Sequence, residues 1–240
     1  TSMRRQIDEM TQTLLENDIV EMGLALTGNM RNLAVERVSL NAPGLVEAKV
    51  DGFVRNALSE QRSGHLNYAA ATRTTRRVRA LLPKSAANSL NVPDAMRLLG
   101  AVDFAGADYR THFALQQGKG TVNGRAAVNL NTENYSAQID VRQFELAQFL
   151  KGQPIGPLTG KLGVEGRGFN ADAARTNLRA TAEVREGRYD RFSLGGIGLS
   201  AALHGGHAVV DFKARNPLID GEGRITAELN RRYAAQMDVR

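Results

Sequence analysis

The feature that most constrains this chain is a two-residue rhythm of apolar and polar side chains, sustained from about residue 101 to residue 240. Tyr109, Thr111, Phe113 and Leu115 alternate with Arg110, His112 and Gln116. Val122, Ala126, Val128 and Leu130 are opposed by Asn123, Arg125 and Asn129. Tyr135, Ala137, Ile139 and Val141 alternate with Ser136, Gln138, Asp140 and Arg142. The rhythm returns through Leu158–Val164, Leu178–Val184, Leu199–Leu203, Ala208–Ala214, Ile219–Leu229 and Tyr233–Val239. Successive residues of an extended chain point to opposite sides, so each segment reads as a strand with one apolar and one polar face. The links are short and rich in glycine and asparagine, as at Gln117–Gly120, Asn131–Asn134 and Gly205-Gly206. A parallel pair needs a crossover of roughly a dozen residues, so such links dictate antiparallel neighbours. The expected fold is mostly β, a long antiparallel meander.

Residues 1–100 read as an N-terminal helix followed by a β-repeat. Met3, Ile7, Met10 and Leu14 recur at helical spacing behind Ser2, which predicts a helix over Ser2–Glu16. The period then falls to two in Val20, Met22, Leu24 and Leu26, with a turn at Gly28-Asn29. Arg31 to Asn41 places Ala34, Val38 and Leu40 on one side, Leu45 to Val54 alternates, and His65 to Thr72 groups Leu66, Tyr68 and Ala70. Residues 73–100 are the least regular, with a short helix predicted over Thr74–Leu82 and loop signals at Pro83 and Pro93. A seam between portions 1–100 and 101–240 falls here, or else a loop at one rim of a continuous sheet.

An internal repeat underlies the second portion. Tyr135-Ser-Ala-Gln-Ile-Asp-Val-Arg142 returns 98 residues on as Tyr233-Ala-Ala-Gln-Met-Asp-Val-Arg240. Gly124-Arg125 and Leu130-Asn131 return 99 residues on as Gly223-Arg224 and Leu229-Asn230. Two matches in order mark a repeated multi-strand unit. Gln143 to Leu150 follows the first copy as a short helix or irregular plug, and the second copy stops where that plug is due; the sequence reads as a fragment of a longer array.

An apolar face on many strands must be covered, because each exposed Val- or Leu-sized side chain forgoes about 1.5–3 kcal/mol of burial. The coverings available are a second sheet, closure into a barrel, or curling into a trough filled by a ligand. With aromatics at 5% and no tryptophan, the material for a bulky interdigitated core is thin. Small residues at Ala126, Gly160, Gly166, Ala180, Ala182 and Ala201 suggest open space on the inner face. The expectation is a taco-like open groove suited to acyl chains, which gain about 0.8 kcal/mol per buried CH₂. Its candidate lining is Tyr109, Phe113, Leu115, Val122, Val128, Leu130, Tyr135, Ile139, Val141, Leu162, Val164, Leu178, Val184, Leu199, Leu203, Val210, Phe212, Ile225, Leu229, Tyr233 and Met237. A ligand-free structural or adhesive β-sandwich is the alternative. A carbohydrate-binding solenoid ranks below both, for want of tryptophan and clustered carboxylates.

Catalytic chemistry finds no support. The absence of cysteine removes disulfides, thiolate metal sites and cysteine nucleophiles. His204 and His207 flank a turn, but no third ligand stands at a convincing spacing. Gly163-Val-Glu-Gly-Arg-Gly168 lacks the dinucleotide fingerprint and a following helix. No Gly-x-Ser-x-Gly occurs. The expectation is no enzyme, no metal and no cofactor. The net charge of +6 comes mostly from arginine, densest at Arg73, Arg76, Arg77 and Arg79. No nucleic-acid-binding motif surrounds that cluster, so nucleic acid is set aside, and its functional reading is a docking patch for anionic lipid.

The run from Tyr135 through Phe144-Glu-Leu-Ala-Gln-Phe-Leu150 and Gly160-Lys-Leu-Gly-Val-Glu-Gly-Arg-Gly168 resembles the AsmA-like, TamB-type proteins of Gram-negative bacteria. So do Tyr189–Ile197, His207–Phe212 and Asp220-Gly-Glu-Gly223, with a flavour closest to the long Bacteroidetes homologues. The resemblance implies a periplasmic bridge, anchored in the inner membrane by a segment outside this sequence. It implies phospholipid movement between the membranes, or support of outer-membrane protein assembly with an Omp85-type partner. It supplies no catalytic residues. The helical opening and residues 73–100 depart from the plain repeat.

Overall fold

The structure, a computed structural model, describes residues 21–42, 46–73, 93–149, 152–170, 173–216, 220–228 and 234–239. The helices expected over Ser2–Glu16 and Thr74–Leu82 lie outside the described residues. Alternation drives the described chain into strands β1 (Glu21–Asn29), β2 (Asn32–Ala42), β3 (Val46–Arg55), β4 (Ser63–Thr72), β5 (Met96–Ala105), β6 (Asp108–Gln117), β7 (Gly120–Asn129) and β8 (Asn134–Phe144). There follow β9 (Leu158–Arg167), β10 (Asn177–Glu186), β11 (Arg188–Tyr189), β12 (Phe192–Ser193), β13 (Ile197–His204), β14 (His207–Arg215), β15 (Asp220–Glu228) and β16 (Ala234–Val239). Fourteen of them form one antiparallel sheet in chain order, while β11 and β12 make a separate small hairpin. The plug reduces to one 3-10 turn, Leu146–Gln148. Strands β4 and β5 pair directly, so the sheet passes unbroken across residues 73–100.

Register keeps the apolar face in phase over the whole width. At one level Leu24, Val38, Val50, Tyr68, Gly100, Phe113 and Gly124 stand opposite one another in turn. The same level continues through Ile139, Leu162, Ala182, Leu199, Phe212 and Gly223. A one-residue slip would send a strand's apolar set to the other face. Bulges in β2, β8 and β10 (the last at Arg185) absorb extra residues so that such slips do not accumulate. In β2 the register shifts between Val35 and Val38, so Glu36 and Arg37 share the width of Asp51, and Leu33, Val35, Val38 and Leu40 all hold the apolar face. This corrects the reading of Ala34 as a face residue: it belongs with Phe53 on the opposite side. In β8 the shift between Val141 and Phe144, with Gln143 at φ 46°, returns Phe144 to the apolar face opposite Leu158.

Gly166, expected to mark open space, lies under a ring, a second correction, and other glycines of this face do the same. Five stand directly opposite an aromatic residue of the next strand: Gly64 with Phe104, Gly100 with Tyr68, Gly124 with Phe113, Gly166 with Tyr135 and Gly223 with Phe212. Each ring lies flat over its glycine, so that a Cβ there would fall within 2.6 Å of Phe104 Cζ or 2.7 Å of Tyr135 Cζ and would overlap the other rings. The aromatic covers backbone that the glycine leaves bare, and the glycine gives the ring a place to lie. The pair Phe113/Gly124 recurs 99 residues on as Phe212/Gly223, so the sequence repeat corresponds to six strands of the sheet.

Nothing among the described residues lies over the sheet as a second layer. The buried apolar side chains are Val35, Ala42, Ala101, Phe144 and Ala214, and none is below 2% exposure. The two mated sheets of the sandwich alternative do not form among the described residues. At one rim Phe144 is buried where it stacks on Phe149 at 5.2 Å, and beside it the buried Gln117 Nε2 donates to Gln148 Oε1 at 2.8 Å.

Gly124→Ala should therefore force the Phe113 ring upright and destabilise the sheet by about 1–3 kcal/mol. Adding Phe113→Leu should recover most of that loss in a double-mutant cycle read by denaturant unfolding. Additive losses would show that ring and glycine are not coupled.

Candidate functional site

The apolar face is the candidate site, and its lining is organised in rows that run across the strands. Tyr109, Val128, Tyr135, Leu178 and Leu203 form one row, and Val164, Val210 and Ile225 belong to the next. Phe113, Ile139, Leu162, Leu199 and Phe212 make a third; Leu115, Val122, Val141 and Val184 share a fourth. Met237 holds the register position opposite Ile225. Leu229 and Tyr233 lie outside the described residues. Leu130 is a correction: β7 ends at Asn129, and Leu130 sits in the following turn, 51% exposed, with its N–H donating to Ala107 O at 3.0 Å.

Sequence reasoning stopped the lining too early. Strands β1 to β5 carry the same rows onward through Leu24, Val38, Val50, Tyr68, Leu98 and Val102. The alternation within β1 to β4 was visible, whereas β5 was hidden by the adjacent Leu98-Leu99 pair and by Gly100. Exposure decides what the face is. Leu162 and Leu199, in the middle of the sheet, remain 43% exposed, and Met22 and Leu24 on the outermost strand reach 81% and 70%. Side chains here are shielded by cross-strand neighbours and, among the described residues, by no overlying layer.

Polar groups on this face are tied down. Tyr68 reaches over Gly100 so that its hydroxyl and Thr111 Oγ1 lie 3.1 Å apart, and Thr111 Oγ1 donates to Ala101 O at 2.9 Å. Arg62 donates to the Tyr109 hydroxyl at 2.9 Å from the rim. The middle of the face thus presents hydrocarbon and ring surface with few unmet hydrogen bonds.

The opposite face carries the charge. Arg224 and Asp211 pair across β14 and β15 at 2.6 Å, Arg142 and Asp140 lie at 3.0 Å, and Arg185 and Glu183 at 3.1 Å. All are largely solvent-exposed, so water screens them and each adds little to stability. Arg73 of the proposed lipid patch is in an ion pair with Glu47 at 2.8 Å; Arg76, Arg77 and Arg79 lie outside the described residues. A hollow of about 800 Å³ ends on Asn67 and Thr181 and takes in His112, Arg125, Gln138 and Asp140, all polar-face positions, so it opens on this side. A hollow of about 970 Å³ lies further toward the rim, between β6 and β13. His204 and His207 face each other across their hairpin, but His204 bonds Asn177 and His207 lies 3.6 Å from Glu228. Among the described residues no three His, Asp or Glu side chains gather as a metal site, and no helix is long and apolar enough to cross a membrane.

One polar chain on this face has a defined protonation consequence. His65 Nδ1 bonds Asp103 at 2.7 Å, its Nε2 lies 3.1 Å from Asn67 Oδ1, and Asn67 Nδ2 donates to Asp51 at 3.0 Å. The hydrogen bond to Asp103, then that to Asn67, hold the His65 proton to higher pH than an ordinary imidazole. The raised value means that the stabilisation is full below about pH 6.5 and is lost as pH rises through the folded-state value. In an imidazole NMR titration Asp103→Asn should lower the His65 midpoint; an unchanged midpoint would remove Asp103 as the cause.

The chain matches no family model, no curated protein and no solved structure.

Proposed function

We propose that the apolar face is a bed for acyl chains, and that the chain is a non-enzymatic bridge segment whose sheet curls into an open groove and carries lipid between the inner and outer membranes. One observation carries this reading. Apolar rows cross all fourteen strands, yet five apolar side chains are buried among the described residues. At about 4.8 Å between strands and about 3.3 Å per residue, that face measures roughly 60 Å by 30 Å along its surface. An apolar area of this size is far beyond the few hundred Å² that soluble proteins usually leave exposed. Water is the costly occupant, and hydrocarbon the favourable one, by about 0.8 kcal/mol per CH₂.

Curling fits the side-chain volumes. Rings laid flat over Gly100, Gly124 and Gly223 add breadth without height, which leaves room for the sheet to bend toward this face. The tied-down hydroxyls of Tyr68 and Thr111 ask nothing of a ligand, so the face suits chains without polar atoms. The resemblance to TamB-type proteins extends the proposal: a periplasmic location, an inner-membrane anchor outside this segment, phospholipid as cargo, and an Omp85-type partner where outer-membrane assembly is served.

The test is an organic extract of the purified protein examined by mass spectrometry, beside Ile139→Arg. We expect acyl lipid with the parent protein and little with the variant. Because Ile139 faces no polypeptide layer, the variant should unfold within about 0.5 kcal/mol of the parent. A loss of several kcal/mol would mean that the arginine has been forced into a sealed interior. A photo-crosslinking residue at Val210, used in cells, should label lipid; label on protein alone would favour the assembly role.

A further inference from the structure

We infer that the polar face carries an oxyanion site for a phosphate group, centred on Arg167 and Arg179 in the hollow of about 970 Å³. It concerns the face opposite the acyl-chain bed and stands or falls without it. In register, Arg167 of β9 is opposite Asn134 of β8 and Asn177 of β10, while Arg179 is opposite Glu165. Arg167 and Arg179 are therefore diagonal neighbours, roughly 7–8 Å apart at the backbone and within reach of one bound group.

Three features make this a recess for an anion. Among the described residues neither guanidinium has a hydrogen bond or ion pair, although Glu165 stands across from Arg179; elsewhere on this face Arg224 closes on its cross-strand partner Asp211 to 2.6 Å. Two like charges side by side repel, and a bridging oxyanion relieves this. The neighbouring donors are set to help. Asn177 Oδ1 is taken by His204 Nδ1, which leaves the Asn177 amide hydrogens as donors beside Arg167. Asn134 offers a second amide in the same row, and Ser136 stands opposite Glu165. Small residues flank these groups on either side, Ala127 opposite Ser136 and Ala202 opposite Arg179, and line the same hollow. Planar guanidinium forks match phosphate oxygens two at a time, so phosphate is the favoured ligand chemistry.

The phosphate can come from a free phosphate compound or from a lipid headgroup, and two arms separate these sources. In the first, inorganic phosphate is titrated into the 240-residue chain at low salt, while arginine Nε–H resonances are followed by NMR. Arg167 and Arg179 should shift together and saturably, and the remote Arg37 should not. Arg179→Gln, an exposed change that leaves the fold intact, should weaken binding roughly tenfold, the loss of one charge-assisted contact. Glu165→Gln should tighten binding by removing the carboxylate that stands opposite Arg179. In the second arm, phosphatidic acid vesicles are compared with phosphatidylcholine vesicles by co-sedimentation. Retention on the former that Arg179→Gln abolishes assigns the headgroup; saturable phosphate binding without vesicle retention assigns the free compound. Linear, equal shifts at all arginines, or equal affinity for Arg179→Gln and the parent, overturn the site.

Discussion

The structure depends on keeping every apolar side chain of fourteen strands on one side. Among the described residues no second layer is present to correct an error in phase, so register must be set strand by strand. Two devices accomplish this: short turns that fix most pairings, and bulges at Glu36-Arg37 and Arg142-Gln143 that absorb an extra residue where strict alternation would have turned Val38 or Phe144 outward. The polar face imposes the complementary demand. Its cross-strand pairs, such as Arg224 with Asp211, are individually weak, but they keep that face wet and make the inverted register unfavourable.

From this constraint follows the division of labour between the faces. An apolar layer built from side chains that only touch their lateral neighbours is half-finished as a hydrophobic core. Burial goes furthest around Phe144, which stacks on Phe149 beside the short turn at Leu146, while much of the remainder is only partly covered. The ring-over-glycine pairs show how such a face remains smooth. Aromatic area is retained where rings standing upright would have called for an opposing layer to hold them. Charge is confined to the other side, where Arg167 and Arg179 leave donors directed at a shallow hollow.

Much of this was legible in the sequence, and the failures have identifiable causes. Alternation in Tyr135–Val141 or Ala208–Ala214 needs only a period of two, and those strands formed as read. Strand β5 escaped because Leu98-Leu99 breaks the period and Gly100 supplies no side chain to count. Ala34 was assigned to the wrong face because a bulge changes phase without leaving a composition signal. Tyr189 to Ser193, quoted for the family resemblance, forms a hairpin apart from the main sheet. Gly166, read as open space, misled: in one dimension it looks like a missing side chain, and only the register shows that Tyr135 lies over it, as Phe113 and Phe212 lie over Gly124 and Gly223. The recurrence of aromatic and glycine 11 residues apart, in Phe113/Gly124 and again in Phe212/Gly223, was the available clue.

The chain's lack of cysteine allows the central claim to be tested one position at a time. Ala180→Cys places a thiol in the middle of the apolar face, and Thr181→Cys places one on the reverse of the same strand. Alkylation rates of the two unfolded-control-corrected variants should be comparable in delipidated protein, and added phospholipid should slow the first while leaving the second unchanged. A thiol at residue 180 that stays unreactive without lipid, or that lipid fails to protect, would contradict the account.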